Sequence, residues 1–168
     1  MRLIPVALVV FVSLFAVSQV LGQARVADDR PPYYLTDAEL DRKLGIDART
    51  EAQNEFVQLV YFHRVPGCLT CQVMAKYIYE TVGKHFADEV KSKQIVLRFR
   101  NLDEARNAEL MRRLNVRSPM LAIIQMKDGR MVRAKLADRI WSLAAEKDKF
   151  IEYVEKEIKS YLPETKEK

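Results

Sequence analysis

The feature that most constrains this chain is a cysteine pair, Cys68-Leu69-Thr70-Cys71, placed just behind the nearly continuous apolar run Phe56-Val57-Gln58-Leu59-Val60-Tyr61-Phe62. A run of that composition suits a central strand buried on both faces. Pro66-Gly67 breaks it, and a long helical stretch is predicted from about Cys68 to Lys91, with Val73, Tyr77, Val82, Phe86 and Val90 roughly on one face. The cysteines therefore stand where a buried strand hands over to a helix. The first turn of a helix has unpaired N–H groups and a partial positive charge, both of which favour a thiolate over a thiol. Cys68, at the tip, is expected to be exposed and activated. Cys71, one turn in, is expected to be shielded and within reach of a disulfide. That asymmetry is what thiol–disulfide exchange uses: one sulfur attacks and the other resolves the mixed disulfide.

The rest of the pattern supplies a sheet around this junction. Ile95 to Arg100 alternates as a second strand, and Glu104 to Leu114 reads as a helix capped by Asp103, with Leu110, Met111 and Leu114 inward. Met120 to Met126 and Met131 to Leu136 are two strands joined by Asp128-Gly129, a strong two-residue hairpin turn. Asp138 opens a last helical region whose apolar stripe is Phe150, Ile151, Val154, Ile158 and Leu162. Strand, helix, strand, helix, hairpin and helix in that order predict an α/β fold on a mixed four-stranded sheet. Ahead of it, Thr36-Asp37-Ala38-Glu39 is a capping-box pattern opening a short helix to about Lys43, with Gly45 stopping it.

Other uses of the pair fit less well. A structural zinc site needs four ligands, and only His63 and His85 are available to join the two cysteines. Covalent haem attachment needs His after the second cysteine, where Gln72 stands. A purely structural bridge over so short a loop constrains little chain entropy. The four methionines Met111, Met120, Met126 and Met131 are irregularly spaced and read as core filler rather than a copper set. His63, at the end of the first strand, is a candidate for moving a proton to or from either sulfur, or else a packed strand-end histidine. His85 and Trp141 read as packing residues.

The N-terminus addresses the compartment. Leu3 to Val17 is almost wholly apolar behind Arg2, and Gly22-Gln23-Ala24 offers small residues for a signal peptidase. Residues 1–24 are thus expected to be a secretory signal peptide, or else an uncleaved anchor over 3–21. Residues 25–55 are expected to be a linker with a short helix, 56–162 the folded domain, and 163–168 a charged tail. An exported, periplasmic or otherwise extracytoplasmic chain meets conditions in which a disulfide persists. The net charge of +5 is interspersed, with no aromatic-interleaved basic stripe, so nucleic acid is not an expected partner. Membrane association is expected only if the N-terminal segment stays uncleaved.

Over residues 56–162 the chain resembles the thioredoxin-like superfamily, through its element order, Cys68-Leu69-Thr70-Cys71, and Ser118-Pro119 directly before the third strand. The resemblance implies a thioredoxin fold, and implies that Pro119 is a cis-proline lying against the cysteine pair. It further implies that Ser118 offers backbone hydrogen bonds to an extended substrate, with Gly67, Leu69 and Thr70 completing the contact surface. A closer resemblance is to a bacterial family of exported thioredoxin-like proteins, the ArsF-type subunit of a nitrophenyl-compound nitroreductase. It rests on Tyr61-Phe62-His63, Cys68-x-Thr70-Cys71, Asn101-Leu102-Asp103-Glu104, Lys127-Asp128-Gly129, and Ile140-Trp141 followed by Phe150. It implies a redox partner complex.

The departures from thioredoxin are definite. Gly67 replaces the Trp before the first cysteine, and Leu69-Thr70 replaces Gly-Pro. Tyr61, Phe62 and His63 occupy the strand region where thioredoxins bury an acid. Together these features predict an exported thiol–disulfide oxidoreductase acting on a cysteine-containing protein. Cys68 would attack, Cys71 resolve, and Pro119 with Ser118 shape the groove. The redox group would be the disulfide itself, with no bound cofactor and no metal. A non-catalytic subunit of the same fold and a soft-metal-binding module are the alternatives.

Overall fold

The structure, a computed structural model, describes residues 30–162. The signal or anchor segment expected at 1–24 and the tail at 163–168 lie outside the described residues. After a 3-10 turn, Pro32–Tyr34, the elements are α1 (Asp37–Lys43), β1 (Glu55–His63), α2 (Leu69–His85), α3 (Ala87–Lys91), β2 (Ile95–Asn101), α4 (Ala108–Leu114), β3 (Met120–Lys127), β4 (Arg130–Leu136), α5 (Ile140–Leu143) and α6 (Lys147–Lys159).

The four strands form one mixed sheet in the order β2-β1-β3-β4. β1 runs parallel to β2 and antiparallel to β3, and β4 returns antiparallel beside β3. The register sets Leu59 opposite Leu97 and Ile123, and Tyr61 opposite Phe99 and Leu121. Being central, β1 is buried on both faces, which is why it reads as continuous apolar sequence rather than as an alternation. Val57, Leu59 and Tyr61 belong to one core with Met74, Ala75, Ile78, Val82, Phe150, Val154 and Ile158 of α2 and α6. Val60 and Phe62 belong to a second core with Ala122 and Ile124, against which Leu110, Met111 and Leu114 of α4 pack. A mixed sheet with helices on both faces, the parallel pair joined by a helical crossover, is the predicted α/β thioredoxin fold.

Local chemistry accounts for the boundaries. The Thr36 side chain accepts from the Glu39 N–H while the Glu39 carboxylate accepts from the Thr36 N–H, so the capping box is complete. Gly45, just past α1, has φ +77°, a left-handed conformation that favours glycine. Asp128 and Gly129 both have positive φ, as the tight β3–β4 turn requires.

Three local expectations change. The helix expected over 68–91 is broken at Phe86, whose φ of −134° and ψ of 31° separate α2 from α3. The buried face of α2 is Cys71, Met74, Ala75, Ile78 and Val82, which follows the three-and-four spacing of a helix, and Val73 is exposed. Asp103 does not cap a helix. A 3-10 turn over Ala105–Asn107 precedes α4, and Asp103 instead pairs with Arg64.

Residues ahead of β1 are part of the folded body. Tyr33, Leu40, Leu44 and Ile46 join the main core. Arg98 reaches Asp41 at 2.7 Å and Asp37 at 3.5 Å, and Arg100 reaches Asp37 at 2.8 Å, fastening α1 to edge strand β2. Burial acts to raise the Asp37 carboxyl, but the Arg100 hydrogen bond and the charges of Arg100 and Arg98 outweigh it and hold the group below its ordinary value. Among the described residues no helix is long and apolar enough to cross a membrane.

Candidate redox site

β1 ends at His63, and after the four intervening residues 64–67 Cys68 opens α2 as its N-cap residue. Cys68 has extended backbone, φ −66° and ψ 155°, and its sulfur accepts a 3.1 Å hydrogen bond from the Cys71 N–H. One of the orphan donors of the first turn is therefore spent on sulfur. Cys68 and Cys71 are joined by a disulfide, with Cα atoms 5.1 Å apart. Their exposures differ sharply: Cys68 lies open to solvent and Cys71 is only 5% exposed.

The approach to the pair is shaped by Gly67. A Cβ placed there would sit 3.2 Å from the Arg64 carbonyl, tighter than most real contacts. The Gln72 side-chain amide donates to the Gly67 carbonyl at 3.1 Å and ties this loop to the helix it feeds. Leu69 is 80% exposed and Thr70 is exposed, so the two residues between the cysteines face outward.

Beneath the pair the chain places aromatic residues. The Tyr61 hydroxyl donates to the Cys71 carbonyl at 3.1 Å, in buried surroundings. Burial drives the Tyr61 phenol well above its ordinary value, with the neighbouring Tyr33 adding to it, so Tyr61 is a neutral donor. Tyr61 thus offers the backbone of the second cysteine a neutral hydrogen bond. The sequence does not single out this partnership. A tyrosine inside an apolar run reads as core, and only the phase of β1 against α2 aims its hydroxyl at the helix.

His63 is buried, with its ring centroid 5.1 Å from that of Tyr33 and 6.5 Å from that of Phe99. Its Nδ1 lies 3.5 Å from the Arg64 carbonyl oxygen. Burial holds its pKa below the ordinary value, against the opposing pull of that carbonyl and of Glu104. The structure thus places His63 under Tyr33, with the Arg64 carbonyl as its polar neighbour.

Ser118 is exposed and Pro119 half-buried, directly before β3. Because Met120 pairs with Phe62, Pro119 lies at the carboxyl end of β1, the end from which the cysteine loop departs. The Ser118–Pro119 bond is trans, contrary to what the superfamily resemblance implies; among the described residues the cis peptide bond is Val65–Pro66. Trans is the ordinary state of a proline opening a strand. Here the Pro119 carbonyl is held by the indole N–H of Trp141 at 2.8 Å. Trp141 was expected to pack a helix onto the sheet, yet it is 40% exposed and makes that contact across the surface.

Among the described residues no group of three or more His, Cys, Asp or Glu side chains is gathered as a metal site. The sheet topology and the disulfide-forming pair at the β1–α2 junction define the class, a thioredoxin-like fold with a CxxC bridge. No protein-family model matches the chain, and a search of curated proteins finds no match either.

Proposed function

We propose that the protein is a thiol–disulfide oxidoreductase that works outside the cytoplasm on a cysteine-containing protein. The observation that carries this reading is the contrast between Cys68, an exposed residue whose sulfur caps a helix, and Cys71, a buried residue one turn behind it. In the dithiol state the Cys68 thiolate attacks one sulfur of a substrate disulfide. The substrate S–S bond breaks, an intermolecular S–S bond forms, and the departing sulfur takes a proton. The Cys71 thiolate then attacks the Cys68 sulfur and releases the second substrate thiolate, which is protonated in turn. Two electrons and two protons pass to the substrate, and the Cys68–Cys71 bridge forms. A partner dithiol reverses the sequence and restores the reduced pair.

Cys68 is reachable and its N-terminal helix position favours the thiolate, while Cys71 is shielded from competing disulfides. Ser118 and Pro119, with Gly67, Leu69 and Thr70, are the residues proposed to meet the substrate. Export rests on the apolar segment at 3–17 and the small residues at 22–24. The dedicated redox partner rests on the ArsF-type resemblance of the sequence motifs.

The test is a trapping experiment with Cys71→Ser in the exporting cell. Attack through Cys68 without a resolving sulfur should accumulate a mixed disulfide with a protein partner, visible on non-reducing gels and lost on adding reductant. No trapped species with Cys71→Ser, together with a pair that does not cycle in redox buffers, would overturn the reading. Stoichiometric uptake of a soft metal ion by the dithiol chain would then favour the binding-module alternative.

A further inference from the structure

We propose that Tyr61 is a positioning residue for Cys71, a neutral buried tie that keeps the second thiol in place when the disulfide is open. The inference rests on the exchange reading above and concerns how that same pair is tuned. Its basis is a difference between the two redox states. In the disulfide, the bond between the sulfurs holds Cys71 against Cys68. In the dithiol that bond is absent, and beyond the chain itself non-covalent contacts set where Cys71 lies. Two of them act on the Cys71 backbone: its N–H donates to the Cys68 sulfur at 3.1 Å, and its carbonyl accepts from the Tyr61 hydroxyl at 3.1 Å.

The second contact is anchored in the central strand of the sheet. Tyr61 is fully buried in central strand β1, paired with Phe99 on one side and Leu121 on the other. Tyr33, brought from ahead of α1, is buried in the same core and lies across His63, and the Tyr61–Cys71 hydrogen bond is itself buried. A hydrogen bond in such surroundings loses little to solvent competition. It ties the first turn of α2 to the sheet by a route that does not pass through the loop at residues 64–67. Holding the dithiol in a geometry close to that of the disulfide makes ring closure more favourable, because less conformational freedom is lost on forming the bond. Tyr61 therefore stabilises the disulfide relative to the dithiol, with no charge placed near either sulfur.

Tyr61→Phe removes the hydroxyl and keeps the ring. The experiment equilibrates wild type and Tyr61→Phe with graded ratios of reduced to oxidised glutathione, quenches by thiol trapping, and measures urea stability of each redox form. Glutathione is the stated reductant: two molecules are oxidised to one disulfide as one protein bridge opens. The expected result is a shift of about threefold to tenfold in the exchange constant toward the dithiol, tenfold being about 30 mV for this two-electron couple. The disulfide form should also lose more stability than the dithiol form, as the cycle linking oxidation and folding requires. An unchanged exchange constant with equal stability loss in both forms would make Tyr61 merely structural and overturn the proposal, as would a shift toward the disulfide. A wild-type pair that fails to cycle would overturn the exchange reading and this inference together, which separates the two failures.

Discussion

The Cys68 sulfur accepts a hydrogen bond from the Cys71 N–H, so the more exposed cysteine of the pair is also the cap of the helix that carries its partner. Redox state and helix capping are thereby joined in one atom. Opening the disulfide to a thiolate would leave a full negative charge at the positive end of α2, where the dipole and the free N–H groups stabilise it.

Alkylation of the reduced chain should be ordered. With Cys68 open to solvent and Cys71 buried, brief iodoacetamide treatment is expected to give a singly modified chain labelled at Cys68. Intact mass and peptide mapping read this directly. Equal labelling of the two cysteines would contradict the asymmetry on which the proposed mechanism stands.

The capping role separates two replacements of Cys68. Serine keeps a side-chain acceptor at the N-cap and alanine removes it, so Cys68→Ala should be less stable than Cys68→Ser by about 1 kcal/mol. Urea denaturation under reducing conditions makes the comparison, since neither variant can form the bridge.

His63 predicts a slope of stability with pH. Burial lowers its folded pKa below the ordinary 6.5, so on acidification the unfolded chain binds the proton first. The stability contributed by the neutral ring is complete above about pH 6.5 and is lost as pH falls from there toward the lowered folded value. His63→Gln should flatten urea midpoints across that window relative to wild type. Tyr33→Ala, by opening the ring to water, should move the His63 titration seen by NMR back toward its ordinary value. Parallel midpoint profiles for wild type and His63→Gln would refute the assignment.

The fastening of α1 can be tested at Arg98. Its side chain is largely shielded and meets both Asp41 and Asp37. Arg98→Met should cost about 1.5–3 kcal/mol, the range for hydrogen bonds to charged partners. Limited proteolysis of this variant should cut first in the stretch before β1. An unchanged urea midpoint would show that the ion pairs add nothing beyond the packing of Leu40 and Leu44.

Much of the frame was legible because it is written in short-range patterns. The Thr36–Glu39 capping box, the Asp128-Gly129 turn and the alternation of Ile95, Leu97 and Phe99 each depend on residues within a few positions of one another. The burial of Cys71 beside the exposure of Cys68 follows from one turn of helix. The break at Phe86 and the true buried face of α2 were less legible, since alternative apolar spacings around Met74 and Ile78 differ by a single residue.

What the amino-acid order determined by itself is the strand–helix junction that presents two unlike sulfurs, together with the four strands and helices that carry it. Tertiary structure decided which side chains close around that junction. Tyr61 meets the Cys71 carbonyl, Tyr33 covers His63, and Trp141 holds the Pro119 carbonyl, each pair brought together from well-separated positions. The physical reason is that periodicity shows which face of an element is buried, whereas a hydrogen-bond partner depends on how two elements are set against each other. That relation exists only after β1 has paired with β2 and β3 and α2 has packed across them.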